Sequence, residues 1–197
     1  MATAKKAPAK KTAAKKGATA SRKSPRARPD ATTLLAKDHK DVKTLFRRYE
    51  KLAKAGADGA ERQELADEIC RMLTVHTTIE EEIFYPAVRE AEVDESLMDE
   101  AEVEHASAKD LIEQIQSMGP DDALYDAKVS VLGEYVNHHV EEEEGQIFPK
   151  ARRAKVDLEG LGEQLKERKE ALMGGAGGEG EGGETEMAPA GETAGAQ

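Results

Sequence analysis

Five histidines and a set of glutamates carry most of the chemistry this sequence can offer. His76 and Glu80 stand four residues apart, and so do His139 and Glu143. On a helix, that spacing puts imidazole and carboxylate on one face, one turn apart. His39 and His105 stand alone, and His138 is the immediate neighbour of His139. A lone histidine on an apolar helix face is ordinarily a core residue with a hydrogen-bond partner. Four of them at matching places on four helices are harder to explain that way. The two pairs and two single histidines offer four nitrogens and two carboxylates. Such a shell suits two iron or manganese ions, with zinc as a further candidate. The carboxylates can bridge two cations and lower their repulsion.

The elements that must position these residues are helices. Breaks at Gly56-Ala57-Asp58-Gly59 and at Gly119-Pro120 punctuate the chain. Helices are expected over about 31–55, 60–90, 94–118 and 121–151. A shorter amphipathic piece follows, with Leu158, Leu161, Leu165 and Leu172 on related faces; it is expected to pack outside the bundle. Apolar stripes with steps of three and four residues mark one face of each helix. They read Leu35, His39, Val42, Phe46, Tyr49 in the first and Leu65, Ile69, Met72, His76, Ile79, Ile83 in the second. The third reads Met98, Ala101, His105, Ala108, Ile112, Ile115; the fourth reads Leu124, Val131, Tyr135, His139. Each stripe holds a histidine. The expected fold class is all-α, an up-down four-helix bundle with a short C-terminal accessory helix and disordered tails.

Height along the bundle supplies a test. Two residues on antiparallel neighbours lie level when they are equidistant from the turn between them. The midpoint of His39 and His76 falls between Ala57 and Asp58, inside the first break. That of His76 and His105 falls at Glu90–Ala91, and that of His105 and His139 at Asp122. The four imidazoles should lie within about a turn of one plane, ~5 Å at the helical rise. Unpartnered, they would be costly to bury there.

The chain also repeats itself. His76-x3-Glu80-Glu81 followed by Phe84-Tyr85-Pro86 matches His139-x3-Glu143-Glu144 followed by Ile147-Phe148-Pro149, with the proline ten residues after the histidine each time. A pseudo-two-fold site for two metals follows. Pro86 and Pro149 should each kink or end a helix just past it. Within the run Glu141–Glu144, Glu141 and Glu142 read as a solvated face.

In order and spacing, His39, His76-x3-Glu80, His105 and His139-x3-Glu143 resemble the hemerythrin/HHE cation-binding family over roughly residues 30–152. The ferritin-like pattern differs, pairing Glu and His three apart. The resemblance implies a non-haem di-iron centre, with His39 and His76 on one iron, His105 and His139 on the other, and Glu80 and Glu143 bridging. It implies a protein that binds, senses or turns over a small oxidant such as oxygen, nitric oxide or peroxide, or that handles iron. The chain departs from the oxygen carriers at one place: where they have a second histidine four residues after the third-helix histidine, it has Lys109. A protonated lysine is a poor ligand, which argues against reversible oxygen storage. Tyr135, one turn before His139, is a candidate ligand or hydrogen-bond donor, or else a core aromatic. His138 points away from His139 and is not expected to ligate.

Charge divides the chain in three. Residues 1–28 hold ten basic side chains and no acid, residues 30–173 carry a net −16, and the segment from Gly174 adds five glutamates. Residues 1–29 are expected to be a basic disordered arm and residues 174–197 a disordered Gly/Glu-rich tail, because neither can bury enough apolar area to offset its ordering entropy. Such an arm could bind nucleic acid through phosphate neutralisation, without reading sequence. The competing class of function is a structural or nucleic-acid-associated bundle whose histidines are incidental or hold zinc. One cysteine, Cys70, excludes an internal disulfide framework and reads as a buried hydrophobe. With no apolar run near the ~18 residues of a membrane span, a cytoplasmic setting is expected.

Overall fold

A computed structural model describes residues 29–175. The expectations for residues 1–28 and 176–197 lie outside the described residues. Helix α1 spans Ala31–Ala55. Asp30 caps it by accepting from the Thr33 amide at 2.8 Å. Gly56 ends it at φ 66°, a left-handed conformation that favours glycine. Helix α2 runs Gly59–Ile79 behind Asp58, whose side chain accepts from the Ala60 amide at 2.8 Å. A π turn over Glu80–Phe84 carries the chain without a break into α3, Tyr85–Glu90. Helix α4 spans Glu95–Gln116. Helix α5 spans Tyr125–Glu142, and a second π turn over Glu143–Ile147 leads into α6, Phe148–Arg153. Helix α7 is Leu158–Gly175, reaching two residues past the boundary expected at 173.

The bundle is a closed ring: α1 packs on α2 and α5, and α4 packs on α2 and α5. The first and third connections meet at one end, where the Arg62 guanidinium donates to the Pro120 carbonyl at 3.1 Å. Helix α7 lies outside this ring, against α1, α2 and the first π turn. Leu161 and Leu165 are buried in that contact. Among the described residues no helix is long and apolar enough to cross a membrane.

The expected stripes of α1 and α4 are buried throughout. The α5 stripe is corrected. Leu124, Val131 and Tyr135 are 60%, 38% and 49% exposed, and the buried face is Tyr125, Val129, Leu132, Val136 and Val140. Stepping back from His139 by fours drifts about 40° per step off the helix face. Alternating threes and fours stays on it. A similar shift follows the first π turn. Its extra residue turns Phe84 into the core and leaves Ile83 only partly buried.

The prolines do not end their helices, one of the two outcomes expected of them; the helical chain continues past each. In each case the chain widens just before the proline. The Tyr85 amide bonds back to the Glu80 carbonyl, and the Phe148 amide to the Glu143 carbonyl. That i→i+5 step makes room for a ring that would otherwise press on the preceding turn.

Two apolar clusters fill the bundle. One gathers Val42, Phe46, Ile69, Ile112 and Leu132; the other gathers Leu35, Ile79, Phe84, Met98 and Phe148. Cys70 lies in the first, and burial pushes its thiol up to about 12, as suits a packing residue.

Helix α7 docks by close backbone approach. A Cβ on Gly162 would lie 2.6 Å from the Pro29 carbonyl oxygen and 3.0 Å from the Ala31 nitrogen. Both are main-chain atoms, so α7 itself would have to move. Gly162→Ala should therefore destabilise by about 1–3 kcal/mol, against the gain alanine ordinarily brings to a helix. Gly145→Ala, with nothing within 4 Å of its Cβ, is the control. Urea midpoints measure both; an unshifted Gly162→Ala midpoint would show that this approach is not tight.

Candidate metal centre

Between the two apolar clusters lies a polar layer. His39 and His76, from α1 and α2, bring their Nε2 atoms to 3.1 Å. His105 and His139, from α4 and α5, bring theirs to 3.2 Å. Glu80 spans the two pairs, with Oε1 3.2 Å from His76 Nε2 and Oε2 3.5 Å from His105 Nε2. Glu143 does the same from the other side, its Oε2 lying 3.2 Å from His39 Nε2 and 3.8 Å from His139 Nε2. All six residues are buried, and both glutamates are 0% exposed. The structure thus brings together all six residues that the sequence offers as metal ligands. They fall into two groups able to converge on a cation: His39, His76, Glu80 and Glu143, and Glu80, His105 and His139.

Every imidazole has a carboxylate behind it. His39 Nδ1 is 2.9 Å from Glu144, His105 Nδ1 is 3.0 Å from Glu81, and His139 Nδ1 is 2.8 Å from Glu104. His76 Nδ1 is 3.7 Å from Asp38. An ionised carboxylate only accepts, so in the three close pairs it fixes the proton on Nδ1 and turns the Nε2 lone pair inward, while Asp38 faces His76 from beyond hydrogen-bond reach. The arrangement keeps the sequence repeat. Glu81 and Glu144 each follow the bridging glutamate, while Asp38 and Glu104 each precede the lone histidine of their helix. Sequence reasoning passed over all four as supports, although the repeated Glu-Glu was the available signal.

The same repeat matches Tyr85 with Phe148. The Phe148 ring stacks on His39 at 5.9 Å, and Tyr85 lies 5.3 Å from His105. The Tyr85 hydroxyl is 3.2 Å from His105 Nε2, so the buried tyrosine of the site is Tyr85. Tyr135 is 49% exposed, so it is not a core aromatic, and it lines the cavity that also borders the four histidines. His138 also points outward, 63% exposed, with Nε2 3.5 Å from Glu104. Lys109 turns away from the centre and donates to both Glu81 oxygens, at 2.7 and 2.6 Å.

The charges show what the layer lacks. Neither oxygen of Glu80 or Glu143 has a hydrogen-bond partner, nor does His76 Nδ1. Burial opposes ionisation of Glu80, but His76 and the other imidazoles outweigh it and hold the carboxyl well below its ordinary value. Burial and then the Glu80 charge push Glu143 the other way, upward. Burial opposes charge on His76 too, yet Glu80 and Asp38 raise it to about 10. Burial takes His105 down to about 4. Two adjacent buried carboxylates thus compete for a few shared protons. Cations would satisfy all of these oxygens at once and displace those protons. The donors fit such ions: imidazole and carboxylate, with no thiolate. A cavity of about 30 Å³ adjoins the layer, lined by the four histidines and by apolar side chains such as Val42, Leu73 and Val136.

Residues 30–151 match the hemerythrin HHE cation binding domain as a family. A solved hemerythrin HHE cation binding domain-containing protein from Mycobacterium kansasii superposes with a TM-score of 0.63 at 26% identity, over 75% of this chain and 89% of that one. A DNA nickase from Nostoc sp. is 32% identical over 111 residues, which are 56% of this chain and 30% of that protein. The chain therefore spans under a third of that relative's length. The match runs through all four helices that carry the histidine–glutamate layer, and the chain belongs to the hemerythrin HHE cation-binding domain family.

Proposed function

We propose that the layer holds two iron ions and that the protein binds and turns over a small oxidant. One observation carries this reading. Four carboxylate oxygens are buried without a hydrogen-bond partner, among four imidazole nitrogens that face them. Glu80 and Glu143 would bridge; His39 and His76 would serve one ion, and His105 and His139 the other. Bound iron would supply the one-electron chemistry that no side chain here can. The protein's part is to fix the Nε2 lone pairs through the carboxylates behind them and to keep bulk water out of an apolar cavity. That cavity, about 30 Å³, has room for a diatomic molecule or a peroxide and little more. The Tyr85 hydroxyl offers a hydrogen bond beside His105.

Turnover is favoured over reversible carriage by Lys109. Its ammonium is bound to Glu81 rather than aimed inward, so this position adds no nitrogen to the centre. Metal analysis of natively purified protein, with an absorption spectrum, tests the reading. About two irons per chain with near-ultraviolet charge-transfer absorption is expected. One zinc, or a metal-free chain that stays folded, would favour a structural bundle instead.

Two predictions follow from the donor geometry. His76→Ala and His139→Ala should each lose most of the bound metal, whereas His138→Ala should keep it, because His138 lies on the surface. Equal loss from all three would sink the choice between the neighbouring histidines. The reduced protein should also oxidise irreversibly in air. A spectrum that cycles with degassing would overturn this, and Lys109→His is the matched gain-of-ligand variant.

We also propose that residues 1–28 contact DNA without reading sequence. Ten basic side chains and no acid support this. A region similar to part of this chain also occurs in a protein named as a DNA nickase. The −16 body opposes such contact, so binding should need low salt. Full-length protein should bind DNA of any sequence, with affinity falling steeply as salt rises. Protein lacking residues 1–28 should not bind, yet should keep its metal and helicity. Equal binding by both, or by neither, removes nucleic acid from the partners.

A further inference from the structure

Helix α7 begins at Leu158, past the family match that ends at residue 151. Yet two consecutive residues of α7 reach the segments that carry the centre. Arg168 makes two bonds to Glu82, at 2.7 and 3.0 Å, and Glu82 lies in the π turn that carries Glu80. Lys169 donates to Asp38 Oδ1, and Asp38 adjoins His39 on α1. The Asp38 side chain is only 6% exposed. Its other oxygen lies 3.7 Å from His76 Nδ1, and neither of those two atoms has a hydrogen-bond partner. Adjacent side chains of α7 thus grip both segments that supply His39, His76 and Glu80.

The other half of the layer is supported differently. His105 is backed by Glu81, which a half-exposed Lys109 holds. His139 is backed by Glu104, whose second oxygen meets the exposed His138. Those supports come from the bundle's own helices and the first π turn. The pseudo-two-fold layer therefore has one half clamped from outside the ring and one half held within it.

Resting on the two-cation reading above, we propose that α7 is part of the metal centre: Lys169 is a positioning residue that acts through Asp38 on His76 and makes the cation at His39 and His76 the slower of the two to leave. The physical reason is burial. With its ammonium partner in place, Asp38 is held by one oxygen with the other directed at His76 Nδ1. Without it, a nearly enclosed carboxylate loses the ammonium that holds its Oδ1 and must repack or draw in water. The His76 ring then loses the carboxylate that faces it. Loss of such a support typically weakens metal binding by about 10- to 100-fold.

The test uses full-length protein loaded with Zn²⁺ and follows its release to an excess of chromophoric chelator. Two phases of equal amplitude are expected. Lys169→Met should speed the slower phase about 10-fold or more and leave the faster one unchanged. Lys169→Arg, which keeps a cation on Asp38, should restore much of the slow release. Lys166→Met, which removes a charge from an exposed pair with Glu170 on the same helix, should change neither phase. If Lys169→Met speeds both phases alike, α7 merely stabilises the bundle and the proposal falls. If it changes neither, the clamp does not act on the centre. A chain that loads two zinc ions but releases them in a single phase overturns this inference alone. A chain that takes up no zinc overturns the two-cation reading with it.

Discussion

Two fully buried carboxylates set the terms for the rest of the structure. Glu80 and Glu143 are 0% exposed, on facing helices, with no hydrogen bond to either. Burying even one unpaired ionised carboxylate costs several kcal/mol after relaxation. No bundle would place two of them side by side for packing alone. The imidazoles cannot offset both, because each one's Nδ1 already faces a carboxylate of its own. This requirement explains why the core is split into two apolar clusters with a polar layer between them. It also explains why the helices must register so closely: a layer one turn out of step would leave the bridges short.

The repeat explains how one short pattern builds such a layer. Each half of the chain supplies a lone histidine with an acid just before it, then a histidine and two glutamates. The second glutamate of each half supports the lone histidine of the other: Glu81 backs His105, and Glu144 backs His39. The halves therefore hold each other. Symmetry fails at three places, and each failure has a chemical meaning. Tyr85 replaces Phe148 and adds one hydroxyl. Lys109 ties down Glu81, while Glu144 remains 45% exposed. Helix α7 covers the side of Asp38, adding a cation that the sequence repeat does not supply.

Much of this was legible in the sequence because its signals are geometric. The level placement of His39, His76, His105 and His139 follows from chain length between breaks, and the ring of helices brings them together as that arithmetic requires. The first and last residues of α1 follow from Asp30 and Gly56, whose capping roles depend on local chemistry. The α5 face was misjudged because His139 lies at one edge of a wide buried stripe, so stepping by fours led outward to Tyr135 and Val131. Residue type misled too: a tyrosine one turn from a histidine looks like a partner, whereas Tyr85 reaches His105 from another helix. Lys169 could not be read from pattern at all, because its partner Asp38 is 131 residues away and α7 meets the bundle from outside.

The π turns join these observations. In an unbroken α-helix, the residue after a bridging glutamate turns about 100° away from it. Glu80 and Glu81 must nevertheless serve one site, one from inside the ring and one from the flank of a neighbouring imidazole. A π turn starting at each bridging glutamate spreads the following residues differently while the helix continues past the layer. Pro86 and Pro149 favour that widening from the far side, since an undistorted turn would meet the proline ring. The prolines belong to the centre's architecture in this sense. The same widening turns Phe84 and Ile147 into the core and sets Tyr85 and Phe148 over His105 and His39. A feature that looks like a break in the helix is what lets consecutive glutamates do different work within one layer.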